Sequence, residues 1–232
     1  MVSNTKSKVE ANFLPVFDCQ NDGISAYYCS PYRTSASGTV RDEALLSVGM
    51  DERSINHAIV QENMIETIRR GVTKATTLQY EGGGEKVIIP INGSALVYKE
   101  IATEFTALCK GIQAEILQSV IFEVTNVSDD SSMSFLDEVA IILYLFCHKY
   151  SCRISPATLN FSYYATCNYS SVAFSLGNKE WPIEKISGPL RRIGLMAEAS
   201  RLNVCLHGVA TDEIRSAALA SKIQYIDGEI VT

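Results

Sequence analysis

The sequence contains no long run of apolar residues. Its longest strongly apolar stretch, VAIILYLFC, has nine residues, whereas about 20 are needed to cross a bilayer. The first residues, MVSNTKSKVEANF, lack the apolar segment and the small-residue cleavage site of a secretory signal. We therefore expect a protein with no membrane span that works in the cytoplasm.

Paired cysteines and an excess of basic residues are also missing. The seven cysteines form no Cys-x-x-Cys pair and mostly lie in apolar segments, which is typical of buried free thiols in a reducing compartment. The three histidines, His57, His148 and His207, are too far apart in the sequence to show a metal-binding motif. A net charge of −6 repels phosphates, so we expect no binding to nucleic acid.

Short β-rich segments alternate along the chain with longer segments of helical periodicity. An apolar content of 47% and a charged content of 20% are ordinary for a globular protein. Residues 24–33, 39–47, 86–91, 119–125, 152–155, 171–176, 203–206 and 222–226 are predicted to be strands. Residues 55–71, 94–111, 135–149, 184–201 and 211–221 are predicted to be helices.

Eight strands separated by helices predict an α/β fold of the (β/α)8 TIM-like barrel type, because parallel neighbours need a crossover connection. Only TSASG separates the first two predicted strands, which is the length of a hairpin loop. The first strand should therefore run antiparallel to the second. We expect residues 1–20 to form an N-terminal extension and residues 21–232 to form the barrel domain.

Five segments, in the same order, resemble the EAL-domain family of cyclic-di-GMP phosphodiesterases. YYCSPYRTSASGTVRDEALLS resembles the family's opening, which reads roughly Tyr-x-Pro, a Gly-containing turn and Glu-Ala-Leu-Leu-Arg. IPINGSAL resembles its Asn-x-Ser segment, IFEVTN its Glu-x-Thr-Glu segment, NVCLHGVATDEI its Ala-Glu-Gly-Val-Glu-Thr loop, and IQYIDGEI its Gln-Gly ending. The resemblance covers about residues 24 to 230 and implies the EAL-domain fold, a modified TIM-like barrel with its first strand antiparallel.

The family's chemistry, as the resemblance implies it, is hydrolysis of a phosphodiester by water activated between two Mg²⁺ or Mn²⁺ ions. Such a site needs several oxygen ligands at the C-terminal end of the barrel. The resemblance places Glu43 on the glutamate of Glu-Ala-Leu, Asn92 on an asparagine ligand and Glu123 on a glutamate ligand. His207 and Asp227 stand on a loop glutamate and on the glutamine near the end. These five residues are the predicted remnant of a ligand-binding pocket.

Other positions that the family's chemistry requires are replaced in this sequence. The replaced positions are Ser155 and Pro156 on the metal-bridging aspartate pair, Ser175 on the catalytic lysine, Ala210 on the second loop glutamate and Ser47 on the phosphate-binding arginine. No Asp or Glu occurs between Cys152 and Lys179. Two dications so close together repel each other too strongly for the few remaining carboxylates. We therefore interpret the protein as catalytically inactive and without a metal cofactor, with Mg or Mn only if the remnant site still binds a metal.

Three functional hypotheses follow from this pattern. The first is a regulatory protein in bacterial signalling that binds a protein partner. The second is a cyclic-di-GMP receptor without turnover, for which Arg33 or Arg41 would have to offset an acidic pocket. The third, least favoured, is an atypical phosphodiesterase with one metal at Glu43, Asn92, Glu123 and His207.

Simpler interpretations exist for several of these residues. Glu43 and Glu123 can line a water-filled opening and share a proton, and Asn92 can be a turn residue. The tyrosine-rich segment 161–171 can stack on guanine bases or can simply pack. Trp181 in NKEWPIEK is either an exposed anchor for a partner or a cover for the barrel end. A homodimer formed beside the active-site opening is a further expectation.

Overall fold

The computed structural model describes residues 8–51, 54–128, 131–177 and 179–231. Within them the strands are β1 (Glu10–Asp18), β2 (Gly23–Ser35), β3 (Gly38–Arg41), β4 (Met50–Asp51), β5 (Ser54–Ile55), β6 (Lys86–Asn92), β7 (Val120–Thr125), β8 (Tyr150–Arg153), β9 (Ser171–Ser175), β10 (Asn203–His207) and β11 (Tyr225–Ile226). The helices are α1 (Asp42–Leu46), α2 (His57–Tyr80), α3 (Gly93–Leu96), α4 (Lys99–Lys110), α5 (Ala114–Gln118), α6 (Met133–Tyr144), α7 (Phe161–Thr166), α8 (Ile183–Ala199) and α9 (Asp212–Ala220), and a 3₁₀ helix covers Glu229–Val231. Residues 1–7 of the predicted extension and residue 178 of the NKEWPIEK loop lie outside the described residues.

Eight of the described strands close into a mixed barrel. Their order is β1-β11-β10-β9-β8-β7-β6-β2, and β1 also pairs with β2, which closes the ring. Strand β1 runs antiparallel to both of its neighbours, whereas β2 and β6 to β11 are parallel. The predicted α/β barrel with one reversed strand is confirmed.

The reversed strand is not the one that the sequence predicted. It is β1, which pairs with β2 along its whole length, so residues 10–18 of the predicted N-terminal extension lie in the barrel sheet. The sequence analysis missed β1 because Pro15 has no N–H and a proline argues against a central strand. Strand β11 pairs with only two residues of β1, Phe17 and Asp18. The missing N–H of Pro15 therefore costs no hydrogen bond to β11.

The predicted strand at 39–47 is wrong. Only β3 pairs there, in a hairpin that extends β2 beyond the barrel, and the chain then turns into α1. Asp42 begins α1 with a φ of +49°, a left-handed conformation that Asp tolerates better than most residues. Ala and Leu favour helix, and Leu45 and Leu46 are the buried residues of α1. The EALL tetrapeptide is therefore a short helix above the barrel and not part of its wall.

The helices surround the barrel, and the main core lies between the two layers. Phe105 of α4 and Phe122 of β7 pack edge to face with ring centroids 5.4 Å apart. The tyrosine-rich segment packs as well, because Tyr169 contacts the rings of Tyr150 and Tyr164. All seven cysteines are free thiols, and six of them are buried. In the described part of the chain, no helix is both long enough and apolar enough to span a membrane.

Helices α8 and α9 approach each other closely at a glycine. A Cβ atom added at Gly194 of α8 would lie 1.9 Å from the carbonyl oxygen of Ser221, which follows α9. No side chain fits such a gap. Gly194 therefore sets how closely these two helices can pack.

The interior of the barrel is a second, smaller core. Its buried apolar residues are Val16, Ala26, Tyr28, Ile88, Ala173 and Cys205. In a barrel, inward residues alternate with outward residues along every strand. The inward positions near the C-terminal strand ends are polar, and they form the site described next.

Candidate functional site at the barrel mouth

The parallel strands bring five side chains together at the C-terminal end of the barrel, which we call the mouth. Tyr28 lies on β2, Glu123 on β7, Arg153 on β8 and His207 on β10, while Asp227 directly follows β11. Four of the five are buried, and the side chain of the fifth, Arg153, is only 10% exposed. Buried polar groups need partners, and these residues find them in one another.

Arg153 and Glu123 form an ion pair in the mouth. The Nη2 group of Arg153 donates a hydrogen bond to Oε1 of Glu123, whose side chain is 1% exposed. The guanidinium also lies over the ring of Tyr28, 5.3 Å from the ring centroid, in a cation–π contact. Burial alone would raise the pKa of Glu123, but the charges of Arg153 and His207 lower it to about 2.

His207 lies between two carboxylates. Its Nε2 atom is 3.1 Å from Oε2 of Glu123, and its Nδ1 atom is 2.5 Å from Oδ2 of Asp227. Burial would lower the pKa of His207, but Asp227, Cys205 and Glu123 raise it well above its ordinary value. A protonated imidazole has N–H donors on both nitrogens. Arg153, Glu123, His207 and Asp227 therefore form a line of alternating charges that neutralise each other.

Three asparagines fix α1 over the mouth. Asn92, at the end of β6, is 0% exposed; its Nδ2 group donates to the carbonyl of Leu46 at 2.9 Å, and its Oδ1 atom accepts from the N–H of Ala95. Asn63 donates to the carbonyl of Leu45 at 3.0 Å. Asn126 donates to the hydroxyl of Ser47 at 2.6 Å. The side chain of Asn92 is thus bound to backbone groups and does not point at a ligand in the mouth.

The structure moves Glu43 away from the position that the resemblance gave it. The sequence analysis placed Glu43 on a predicted barrel strand, but the structure places it on a short helix. Tyr28 is the residue of β2 whose side chain reaches the mouth network, while Glu43 lies on α1. From there Oε1 of Glu43 is 3.6 Å from Nε of Arg153, and the side chain is 40% exposed. Glu43 therefore reaches the site from its rim.

Ser155 and Pro156, the predicted replacements of the aspartate pair, lie beyond the end of β8. There the Oγ atom of Ser155 accepts a hydrogen bond from the N–H of Ala157. The residue of β8 at the mouth is Arg153, which the sequence analysis missed. A signal for it existed, since Arg153 is the only charged residue between Lys149 and Lys179.

The remaining predicted residues lie at the ends of their strands as expected. Ser175 ends β9, and its Oγ atom accepts a hydrogen bond from the N–H of Gly177. Ala210 follows β10 and offers no side-chain ligand. The structure thus brings together Glu123, His207 and Asp227 of the predicted pocket. It leaves Glu43 at the rim and Asn92 beneath α1.

A cavity of about 230 Å³ remains in the mouth, lined by residues that include Tyr28, Arg41, Asp42, Ser175 and Gly177. Within the described residues, the hydroxyl of Tyr28, Oδ1 of Asp42 and Nε of Arg153 are buried without a hydrogen-bond partner. Burial raises the pKa of Asp42, although Ser30 and Arg153 act in the opposite direction. Pockets for drug-sized ligands have volumes of about 300–1,000 Å³, so this cavity accommodates only a small group.

The residues of the mouth do not fit a pair of divalent cations. Both oxygens of Glu123 are bound to cationic groups, and a protonated His207 has no lone pair for a metal. Cys205, His207 and Asp227 have potential ligand atoms within 4.8 Å of one another. This thiol, imidazole and carboxylate set is softer than the all-oxygen set that Mg²⁺ prefers. Arg153 and His207 supply positive charge within the mouth network, and Arg41 adds positive charge at the wall of the mouth cavity.

No protein-family model matches the sequence, and no curated protein matches it. Solved structures do match the fold. The cGMP-bound form of the EAL enzyme Bd1971 matches with a TM-score of 0.74 and 12% identity over 97% of this chain and 62% of that chain. The EAL domain of Xanthomonas citri FimX in complex with c-diGMP matches with a TM-score of 0.70 and 12% identity. That match covers 96% of this chain and 86% of the FimX chain.

The Bacillus subtilis YkuI protein, which has an EAL domain and was solved with c-di-GMP and calcium, matches with a TM-score of 0.69 and 15% identity. The match covers 97% of this chain and 55% of that one. This chain thus spans less than two thirds of the Bd1971 and YkuI chains. At these identities the comparisons establish the fold, and the chain has the fold of EAL-domain proteins.

Proposed function

We propose that this protein is a non-hydrolytic EAL-fold protein of bacterial signalling that acts in the cytoplasm by binding a regulatory protein partner. The observation that carries the proposal is the ion pair between Arg153 and Glu123. A fixed guanidinium occupies the part of the mouth where a hydrolase of this fold would hold cations. A covalently attached cation cannot activate water as a metal ion does.

The other groups in the mouth also argue against hydrolysis. A carboxylate whose pKa is lowered to about 2, such as that of Glu123, is a weak general base near neutral pH. Burial would lower the pKa of His207, but Asp227, Cys205 and Glu123 raise it well above its ordinary value, which favours the protonated imidazole, and that form accepts no proton. The Oγ atom of Ser175 accepts a hydrogen bond from a backbone N–H in a turn. None of these three side chains is therefore poised to activate water.

The surface beside the mouth supports a protein partner. Strand β3 is exposed along its whole length and, among the described strands, pairs with β2 alone. Its outer edge presents backbone groups that an extended segment of another protein can pair with. Val40 adds an apolar side chain to this edge. Self-association through the same edge, giving a homodimer, is one form of this proposal.

Capture of partners from the native bacterial lysate tests the binding role. Val40→Lys places a charge on the β3 edge, and charged side chains on edge strands oppose pairing. We expect this variant to lose a partner that the wild-type protein retains. Leu219→Lys is the matched control, because Leu219 is an exposed apolar residue on α9. Equal capture by both variants, or no specific protein at all, contradicts the proposed edge.

Incubation with cyclic di-GMP and Mn²⁺ or Mg²⁺, followed by chromatography, tests the absence of hydrolysis. We expect no linear dinucleotide to form. Product whose formation is abolished by Glu43→Ala would refute the proposal. It would instead favour the third hypothesis, a metal-dependent phosphodiesterase.

A cyclic-di-GMP receptor without turnover is the second candidate. It is favoured by Arg41, which lines the mouth cavity, and by the Tyr28 hydroxyl and Arg153 Nε, two buried groups there that lack hydrogen-bond partners. It is opposed by the size of the cavity and by Asp42 and Asp227, since the dinucleotide is a dianion. Calorimetry with cyclic di-GMP separates the candidates. A receptor would show a heat of cyclic-di-GMP binding that is independent of metal ions. Loss of this heat in the Arg41→Gln variant would establish that the protein is such a receptor.

A further inference from the structure

A second cavity lies inside the barrel at the end opposite to the mouth, and we call it the lower cavity. Its volume is about 160 Å³, and it extends from the N-terminal strand ends up to Glu123. Its wall is mixed: Val16, Ala26, Ile88 and Ile121 form apolar surface inside, whereas serine and lysine side chains also line it. An empty cavity of about 150 Å³ is large enough to take up benzene. The lower cavity is therefore large enough for a small organic molecule.

The sequence explains why this space is not filled. The interior of a TIM-like barrel is normally packed with layers of bulky branched side chains. Here small residues take inward positions on two neighbouring strands, β8 and β9. Ser151 pairs in register with the inward-facing Glu123 on one side and with Ser171 on the other, so the two serines share the inward face. Together with Ala26 on β2, these two short side chains leave the interior open.

One polar atom in the wall lacks a partner. The Oγ atom of Ser151 is buried, and in the described part of the chain it has no hydrogen-bond partner. Ser151 is 3% exposed and lines the lower cavity. An apolar group placed against this hydroxyl would therefore break no hydrogen bond of the described protein.

The outer end of the lower cavity is cationic. Lys86, at the start of β6, and Lys149, just before β8, both line it. The Nζ atom of Lys86 donates a hydrogen bond to the carbonyl of Gln118, and an ammonium has three donors. Glu123, at the inner end, is already neutralised by Arg153 and His207. An anionic group is thus favoured at the opening and an apolar body is favoured inside.

From this combination we propose that the lower cavity is a binding site for a compact carboxylate with an apolar body, of the size of benzoate. The carboxylate lies at the opening between Lys86 and Lys149. The apolar body fills the space beneath Glu123 and contacts Ile88 and Ile121. This site is separate from the mouth and does not depend on the proposed function.

Titration of the full-length chain with sodium benzoate, followed by calorimetry and by protein NMR, tests the proposal. We expect saturable binding of one molecule, with shifts for Ile88 and Ile121. Benzamide, which has the same shape without the charge, should bind more weakly, and acetate, which lacks the apolar body, should not saturate. Lys149→Gln should weaken benzoate binding by about two- to fivefold, as expected for a partly exposed charge.

Variants locate the binding site. Lys110→Gln removes a lysine from the outer helix α4 and should leave benzoate affinity unchanged. Ala26→Leu fills the cavity and should abolish binding; if this variant does not fold, Ser171→Val is the substitute. Absence of saturable benzoate binding, or equal binding by the wild-type and cavity-filled proteins, would overturn the proposal. Neither result would affect the hydrolysis and partner assays of the proposed function.

Discussion

The guanidinium of Arg153 donates a hydrogen bond to the carboxylate of Glu123 inside the mouth of the barrel. Both side chains are almost completely buried, so each charge depends on the other for its stabilisation. In the proposed function, this pair takes the place of metal ions in the mouth. It links the fold of the protein to the proposed loss of catalysis.

Removal of one member of this pair should be strongly destabilising. Arg153→Met leaves Glu123 buried with only His207 as a cationic partner, and breaking a buried ion pair in this way costs about 3–5 kcal/mol. Urea denaturation measures the free energy of unfolding. Arg69→Met is the control, because Arg69 pairs with Glu66 on the exposed surface and should cost no more than about 1 kcal/mol. Equal losses for the two variants would contradict the buried pair.

The stability of the protein should fall as the pH rises above neutrality. The folded state raises the pKa of His207 well above the ordinary value of 6.5. The charged imidazole therefore stabilises the fold fully below about pH 6.5, and this contribution is lost as the pH rises toward the folded-state pKa. One such proton changes the unfolding free energy by up to about 1.4 kcal/mol per pH unit.

Urea denaturation from pH 6 to 8.5 measures this slope. His207→Gln should remove it, whereas His57→Gln, at the partly exposed start of α2, should retain it. A wild-type unfolding free energy that does not change over this range would show that His207 is neutral.

Loss of the Asn92 side chain should release α1. Asn92→Ala removes the cap of α3 and the hydrogen bond to the carbonyl of Leu46, with an expected cost of about 2 kcal/mol or more. Amide hydrogen exchange should become faster at Leu45 and Leu46. Asn12→Ala, on the exposed face of β1, is the control and should alter neither quantity. Unchanged exchange in α1 would show that the asparagines do not hold it.

Substitution of Gly194 by alanine should force α8 and α9 apart. The added Cβ atom would overlap the carbonyl oxygen of Ser221, and overpacking of this kind costs about 1–3 kcal/mol. Gly188→Ala, on the same helix, adds a Cβ atom that meets no atom within 4 Å and should change stability by less than about 1 kcal/mol. Thermal unfolding of the two variants gives the comparison. Similar melting temperatures would contradict the close approach.

Alternation of strands and helices was sufficient to predict the barrel. Each parallel strand gave a β-rich segment, and each crossover gave a helical one, except the crossover from β8 to β9, where the short helix α7 was not predicted. The reversed strand was assigned to the wrong segment for a local reason, since Pro15 weakens the strand pattern of β1. The hairpin of β2 and β3 resembled a barrel turn, because hairpin loops look alike whether or not both strands enter the barrel.

The site was only partly predictable because a network depends on pairs that are distant in sequence. Glu123, His207 and Asp227 were found because the resemblance to the EAL-domain family placed them on ligand positions. Arg153 was missed because the resemblance directed attention to carboxylates, and an arginine matches no ligand position. Glu43 was misplaced because the short motif EALL fits a helix as well as a strand, and only tertiary structure decides between them.

The closure of the barrel has a consequence for how the chain reaches this fold. Strand β1 is completed only when Phe17 and Asp18 pair with Ile226 and Tyr225, residues separated from them by most of the chain. Contacts between such distant residues are slow to form, because the loop entropy must be lost before they stabilise anything. During synthesis, one edge of β1 therefore stays open until the last strand emerges from the ribosome. Newly made chains are most exposed to edge-to-edge aggregation in that interval.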